Sequence, residues 1–174
     1  MVIKSSFISS GIIDITFPVV IAGGLDAGGN VIEIAEVLDN NTNCKVDPFP
    51  IKIFSATGIN GMICGGRDYE NNLLSSCWNL NPNGTWTSGQ DMLKKRYFFS
   101  MTAVKKEVIL IGGVTINYIA LKQVEKYSLG KQGRWSKMND APKTIDRHCT
   151  TMLNTSFLIV LGGSQNAQVN SKQH

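Results

Sequence analysis

Short apolar runs, each closed by two consecutive glycines, recur four times along the chain. The runs are too short to cross a bilayer, and their alternating, β-branched residues predict strands rather than helices. Successive pairs begin 42, 47 and 50 residues apart. Near-regular spacing of this kind predicts a repeated supersecondary unit. The glycine pairs are Gly23-Gly24, Gly65-Gly66, Gly112-Gly113 and Gly162-Gly163.

Aromatic residues follow the glycine pair in the second and third units. Trp78 precedes Trp86 by eight residues, and Tyr127 precedes Trp135 by the same interval. The first unit is weaker, because Val37 stands at the place of the first aromatic residue. Large aromatic side chains fill the space between twisted neighbouring sheets, so we expect these four to be structural.

The third unit contains four segments with strand character, separated by turn-forming residues. We predict strands over residues 97–104, 107–112, 122–129 and 134–137. No segment of the chain shows a convincing helical period. The sequence therefore predicts an all-β fold.

A glycine pair, an aromatic residue and a tryptophan eight residues later, repeated about every 50 residues, resemble the kelch repeat. The resemblance covers residues 17–163 and implies a β-propeller built from four-stranded blades. The resemblance implies that residues 1–174 are an incomplete propeller of about three and a half blades. We therefore expect a fragment of a longer protein. The implied blades are 3–47, 48–92 and 96–141, with a half blade at 145–163 and a tail at 164–174.

Composition narrows the classes of function. The net charge is +4 and no block of five like charges occurs, so we expect no nucleic-acid partner and no membrane insertion. With two histidines and no C-x-x-C pair, we expect no metal and no cofactor. His148 is predicted to be a structural or channel-facing residue rather than a catalytic base. We therefore predict that the chain is not an enzyme.

The cysteines bear on the cellular compartment. Cys64 and Cys77 lie on predicted neighbouring strands and could form a disulfide, the alternative being buried thiols. The segments around Cys44, Cys64 and Cys77 are similar to those of extracellular kelch proteins of invertebrates, which favours a secreted protein slightly over a cytoplasmic one. Three N-x-[ST] sequons, at Asn40, Asn83 and Asn154, do not settle the compartment, because about two are expected by chance.

The kelch resemblance implies a protein-binding scaffold whose contacts come from loops at the faces of the disc. The predicted loops are 25–31, 67–72 and 114–120, and Arg96 and Arg147 are expected at matching places in consecutive units. Such arginines can pair with carboxylates of an acidic peptide, or can instead bond blade carbonyls. The candidate partner-binding residues are Arg67, Tyr69, Arg96, Tyr118 and Arg147.

The sequence is also compatible with two other functions. The chain could be the substrate-adaptor part of a kelch ubiquitin-ligase component, whose dimerisation segments would lie upstream. It could also belong to an enzyme that resembles galactose oxidase, with its copper ligands outside these residues.

Overall fold

The computed structural model describes residues 19–38, 46–130, 133–154 and 157–165, and the regular structure of this part is almost entirely β. One 3-10 turn spans Ile116–Tyr118, and the described residues contain no α-helix, so the all-β prediction is confirmed. Residues 3–18, Cys44 and most of the predicted tail lie outside the described residues. The strands are β1 (Val19–Ala22), β2 (Ala35–Leu38), β3 (Ile53–Phe54), β4 (Thr57–Ile59), β5 (Met62–Cys64), β6 (Arg67–Asp68), β7 (Cys77–Leu80), β8 (Trp86–Ser88), β9 (Ser100–Val104), β10 (Glu107–Ile111), β11 (Val124–Ser128), β12 (Trp135–Lys137), β13 (Asp146–Met152) and β14 (Leu158–Ser164).

Two four-stranded antiparallel sheets form the centre of the described structure. The first sheet has the order β4-β5-β7-β8 and the second has the order β9-β10-β11-β12, so each is a meander. Three further antiparallel pairs join β1 to β2, β3 to β6 and β13 to β14. None of these sheets closes on itself within the described residues, and their arrangement as propeller blades stays a prediction.

Two apolar clusters lie between consecutive sheets. One cluster packs Met62 and the cysteines of the first sheet against Met101 and Leu110 of the second, with Trp135 at its border. The other cluster packs Phe49 and Ile53 against Ile63, and β1 and β2 cover it. Because each cluster takes side chains from two neighbouring units, no sheet buries its apolar face by itself.

In the first three glycine pairs, the backbone N–H of the second glycine donates a hydrogen bond to the next unit. The N–H of Gly66 donates to the carbonyl of Arg96 at 2.9 Å, and the N–H of Gly113 donates to that of Ile145 at 2.8 Å. Glycine is also needed at the first position of the pair, because a Cβ on Gly112 would clash with the Ile145 oxygen and its φ is +62°. The same bond joins Gly24 to Ile53 at 2.7 Å.

The tryptophans of the fourth strands play the same structural role in both sheets. The indole N–H of Trp86 donates to the carbonyl of Asp47, and that of Trp135 donates to the carbonyl of Gln90, both at 3.0 Å. Each tryptophan therefore bonds to the segment that precedes its own sheet. The predicted structural role of these two residues fits this geometry.

The predicted match between Trp78 and Tyr127 is wrong. Trp78 lies opposite Ile63, the residue two before the glycine pair, and the residue in that register of the second sheet is Glu125. Tyr127 faces Trp135 and so matches Leu80, which faces Trp86. The turn before Trp135 is longer than the turn before Trp86, which makes the two eight-residue spacings equal by coincidence.

Cys64 and Cys77 form a disulfide, which is the first of the two alternatives that the sequence left open. They lie directly opposite each other on antiparallel β5 and β7, with Cα atoms 4.1 Å apart. Such closeness is typical of a pair that is not hydrogen-bonded, and the neighbouring Gly65 N–H donates to Ser76. Cys149 is a free thiol.

Candidate partner-binding face

Three loops with the same backbone hydrogen bond connect the second and third strands of consecutive units. In each loop the first residue donates its N–H to the carbonyl of the fifth: Asp26 to Asn30, Asp68 to Asn72 and Thr115 to Ile119, at 2.9, 3.1 and 3.0 Å. A single β-bridge closes each loop at residues 25 and 31, 67 and 73, or 114 and 120. The loops agree with the predicted ranges, and they lie at one end of the sheets.

Carboxylates inside the first two loops bond to the loops themselves. Asp26 accepts hydrogen bonds from the side chain and backbone of Asn30, which lower the pKa of the carboxyl. Partial burial acts in the opposite direction on Asp68, but hydrogen bonds from Asn72 still leave its pKa below the usual value. Both carboxylates stay ionised at neutral pH and hold the shape of their loops.

The third loop differs because it places a tyrosine in the left-handed backbone region. The fourth loop position is Gly29 in the first loop and Asn71 in the second, both of which tolerate a positive φ, but Tyr118 in the third with φ +57°. A bulky residue in this region costs about 1–2 kcal/mol. The Tyr118 side chain is 63% exposed, so burial does not offset this cost. Strain of this kind concentrates at functional sites.

Arg67 lies between two tyrosine rings. Its guanidinium carbon is 4.2 Å from the centroid of the Tyr97 ring and 5.6 Å from that of Tyr118. A cation over an aromatic face is stabilised by the ring quadrupole. The stack holds a half-buried guanidinium at the base of the second and third loops.

A second arginine continues the same row of rings. The Tyr97 and Phe98 centroids are 4.6 Å apart, and the guanidinium of Arg147 lies 4.3 Å from the Phe98 ring. Tyr118, Arg67, Tyr97, Phe98 and Arg147 thus form one connected set of side chains, which we call the arginine face. The structure therefore brings together three of the predicted partner-binding residues.

The polar contacts of the two arginines differ. Arg67 donates to the neutral side-chain oxygen of Asn71 at 2.7 Å and has no carboxylate partner among the described residues. Arg147, whose side chain is 41% exposed, donates to Asp146 at 2.5 Å. Arg67 therefore carries the less neutralised charge of the two.

The hydroxyl group of Tyr97 is buried beneath this row. Tyr97 is 2% exposed, and its oxygen has no hydrogen-bond partner in the described part of the chain. Burial raises the pKa of the hydroxyl, and the nearby charges of Arg67 and Arg147 oppose that shift in part. The group stays protonated at neutral pH and is an unused donor next to two cations.

Tyr69 lies on the loop of Arg67 and is 66% exposed. Its hydroxyl donates to Glu70 at 2.9 Å, and this hydrogen bond raises the pKa of the phenol. The ring makes none of the aromatic contacts of the arginine face. Tyr69 therefore flanks the arginine face rather than forming part of it.

Arg96 is not at a surface. Its side chain is fully buried, donates to the carbonyl of Gly112 at 2.9 Å and forms an ion pair with the equally buried Glu125. Burial lowers the pKa of Arg96, and the charge of Glu125 opposes that shift. The expectation that Arg96 offers its guanidinium to a partner is therefore not met, and the alternative of bonds to carbonyls describes its contacts.

The predicted match between Arg96 and Arg147 is also wrong, by two residues. The carbonyl of Arg96 accepts from a glycine pair in the way that the carbonyl of Ile145 does. Arg147 shares its left-handed backbone instead with Ser55 and Phe98, whose φ values are +56° and +55°. Both arginines precede similar apolar runs, which is why the sequence pattern aligned them.

His148 lies on β13 and is buried against β9. Its Nε2 lies 2.7 Å from the hydroxyl oxygen of Ser100, in a hydrogen bond, while its Nδ1 has no partner among the described residues. Burial lowers the pKa of His148 to about 4, so the ring is neutral at neutral pH. This agrees with the predicted structural histidine.

Some of these residues were missed by the sequence interpretation. Tyr97 and Phe98 fall at the start of a predicted strand, and nothing local marks them as the stacking partners of Arg67 and Arg147, which come from other segments of the chain. Glu125 was overlooked because nothing local marks its pairing with Arg96. Within the described residues no three His, Cys, Asp or Glu side chains are placed to hold a metal ion. The same part of the chain has no helix long and apolar enough to span a membrane.

Comparison with known proteins gives evidence on the fold alone. No protein-family model and no curated protein matches the chain. A solved structure described as the structure of YjhT superposes with a TM-score of 0.64 over 82% of this chain, at 13% sequence identity. This chain covers 54% of that structure, so it spans about half of its length. At this identity the likeness shows a shared fold.

Proposed function

We propose that this chain is a non-catalytic protein-interaction module of the kelch type, and that the arginine face binds an acidic segment of a partner protein. The observation that carries the proposal is the position of Arg67. Its guanidinium is held between Tyr97 and Tyr118 and has no carboxylate partner among the described residues. A cation that is oriented but not neutralised is suited to an incoming carboxylate.

Geometry favours a carboxylate over other anions of the same charge. A guanidinium fork pairs with a planar carboxylate through two parallel hydrogen bonds, and stacking on rings lowers the entropy lost on binding. Arg67 donates from Nη1 to Asn71 and its Nε is buried, which leaves the remaining N–H groups of its two terminal nitrogens for a ligand. Arg147 supplies a second, partly exposed fork on the same row of rings.

Exposed apolar side chains favour a protein partner over a small molecule. Ile116, Tyr118 and Ile119 of the third loop are each at least half exposed, as is Tyr69 of the second. Aromatic residues and arginine dominate the binding energy of protein interfaces. The partner segment would thus place acidic residues on the arginines and apolar residues on the third loop.

The disulfide supports a secreted scaffold. Cytosolic thiols are kept reduced, so a structural disulfide such as Cys64–Cys77 is typical of proteins that fold in an oxidising compartment. This observation favours a secreted module over the substrate adaptor of a cytoplasmic ubiquitin ligase.

Fluorescence anisotropy with labelled peptides tests the proposal. A peptide of alternating glutamate and glycine should bind, while the same peptide with glutamine should not. Arg67→Ala should weaken binding about tenfold, which corresponds to the ~1.4 kcal/mol of a charge-assisted contact. A matched control is Lys105→Ala with Lys106→Ala, which removes two positive charges from the turn between β9 and β10 at the opposite end of the second sheet.

Repeating the anisotropy titration at several salt concentrations gives a second test. Affinity for the glutamate peptide should fall as sodium chloride rises, because exposed charges are screened. Equal binding of the glutamine peptide would contradict the proposal. So would an unchanged affinity in Arg67→Ala alongside a loss in the lysine control.

A further inference from the structure

We propose that Asn83 is a site of N-glycosylation. Asn83-Gly84-Thr85 is one of three sequons, and a sequon alone is weak because such triplets occur by chance. The structure adds three independent observations at this triplet: an exposed turn, an oriented side-chain amide and a disulfide in the same sheet. The proposal does not rest on the arginine face.

The triplet lies in the tight turn between β7 and β8. The N–H of Asn81 donates to the carbonyl of Thr85 at 2.8 Å, and the N–H of Gly84 donates to Asn81 at 3.0 Å. Asn83 is exposed at the tip of the turn. The turn is closed by contacts within five residues, so it can form while the chain is still being made and can enter the active site of a transferase.

The side-chain amide of Asn83 is held with its nitrogen free. Its Oδ1 accepts from the hydroxyl of Thr85 at 2.8 Å and from the backbone N–H of Thr85 at 3.2 Å. Its Nδ2 makes no hydrogen bond among the described residues. Because Oδ1 and Nδ2 are the two branches of one planar amide, fixing the oxygen against Thr85 turns the nitrogen outward.

The compartment needed for the reaction agrees with the disulfide of the same sheet. Cys64–Cys77 indicates folding in an oxidising compartment, and N-glycosylation of this sequon takes place in secreted proteins. β7 begins with Cys77 near the loop of Arg67 and ends at Leu80, next to the turn. A glycan on Asn83 therefore lies at the opposite end of the sheet from that loop and leaves the arginine face open.

The modification is a group transfer from a lipid-diphosphate-linked oligosaccharide, catalysed by a transferase. The Nδ2 atom of Asn83 forms a bond to the anomeric carbon of the sugar. The bond from that carbon to the diphosphate oxygen breaks, and the lipid diphosphate leaves. The proton lost from Nδ2 passes to a base of the transferase, and no electron transfer occurs.

Site-specific mass spectrometry of the chain secreted from a eukaryotic cell tests the proposal. The peptide containing Asn83 should carry hexose and N-acetylhexosamine, and treatment with a glycan-releasing amidase should leave aspartate at this position. The measurement reads each sequon separately, so occupancy at Asn40 or Asn154 does not confuse the result. A secreted protein with the Cys64–Cys77 disulfide and a fully unmodified Asn83 peptide would overturn the proposal.

Three variants distinguish an effect on the sequon from an effect on the fold. Asn83→Asp keeps an oxygen acceptor for Thr85 but has no amide nitrogen, so it should lose the glycan and keep its stability. Thr85→Ser keeps the hydroxyl and should remain modified, whereas Thr85→Val keeps the shape and should lose the glycan. A glycan that persists at this peptide in Thr85→Val would contradict the role given to the hydroxyl.

Discussion

The two four-stranded sheets have the same strand order, but different side-chain pairs join their second and third strands. At the residue before the glycine pair, the first sheet has the Cys64–Cys77 disulfide, whereas the second has the apolar pair Ile111 and Val124 in the same register. One residue further along, the first sheet has Trp78, and the second has Glu125. The second sheet thus has an apolar pair where the first has a covalent bond, and its buried ion pair with Arg96 starts one residue further along, at Glu125.

This comparison shows which parts of the unit can be exchanged. Both sheets keep the glycine bond to the next unit and the tryptophan bond to a preceding carbonyl. The side chains between the second and third strands change entirely while the strand register is retained. We infer that backbone contacts define the repeat, whereas the side chains that join the second and third strands can differ from one unit to the next.

The largest expected effect comes from breaking the buried ion pair. Glu125→Leu should lower the free energy of unfolding by about 3–5 kcal/mol, because it leaves the charge of Arg96 buried without a partner. Urea denaturation measures this loss. Adding Arg96→Met to Glu125→Leu should recover most of it, since well-packed apolar residues can replace a buried pair. A single variant as stable as the wild type would contradict the comparison.

Removing the disulfide should have the next largest effect. Cys64→Ala with Cys77→Ala should cost about 3 kcal/mol, because the bond closes a loop with a sequence separation of 13. The matched variant is Cys64→Ile with Cys77→Val, which copies the pair of the second sheet. It should lose less than the alanine variant in the same denaturation experiment. A larger loss would show that the apolar pair cannot replace the disulfide.

The two neighbours of β9 should differ in their response to pH. Thr57 of β4 donates to the carbonyl of Phe99 and does not titrate, while Ser100 bonds His148 of β13. The folded-state pKa of His148 is about 4, below its unfolded value of 6.5, so the unfolded chain binds the proton first as the pH falls. Stability is therefore complete above pH 6.5 and is lost between pH 6.5 and 4, by up to about 3 kcal/mol.

Unfolding of wild type and His148→Gln at several pH values checks this expectation. The wild type should lose more stability than the variant between pH 6.5 and 4, and the difference should level off below pH 4. Parallel curves for the two proteins would assign the pH dependence to other groups.

The smallest expected effect on stability is the one that distinguishes Arg147 from Arg96. Arg147→Ala should lower the free energy of unfolding by about 1–2 kcal/mol, because it leaves the buried carboxylate of Asp146 without its cation, while the exposed cation–π contact adds little. The same denaturation experiment on Arg96→Ala should give a loss several times larger. Equal losses would contradict the division into a structural and a surface arginine.

Much of the fold is predictable from local sequence because its signals are local. Alternating apolar residues and glycine pairs predict the strands of the third unit to within a few residues, and the position of two cysteines beside a hairpin connection made the disulfide one of two alternatives. The pairing of Arg96 with Glu125 was not predictable, because it depends on strand register across 29 residues. The stack on Tyr97 was missed because it joins side chains from separate loops.

We propose that the arginine face, rather than positive charge in general, binds a carboxylate ligand. Nuclear magnetic resonance of the arginine side chains tests it, with the Nε–H signals followed during titration with the glutamate–glycine peptide. The signals of Arg67 and Arg147 should shift in proportion to bound peptide, and the signal of buried Arg96 should stay in place. Unchanged Arg67 and Arg147 signals at saturating peptide would contradict the claim.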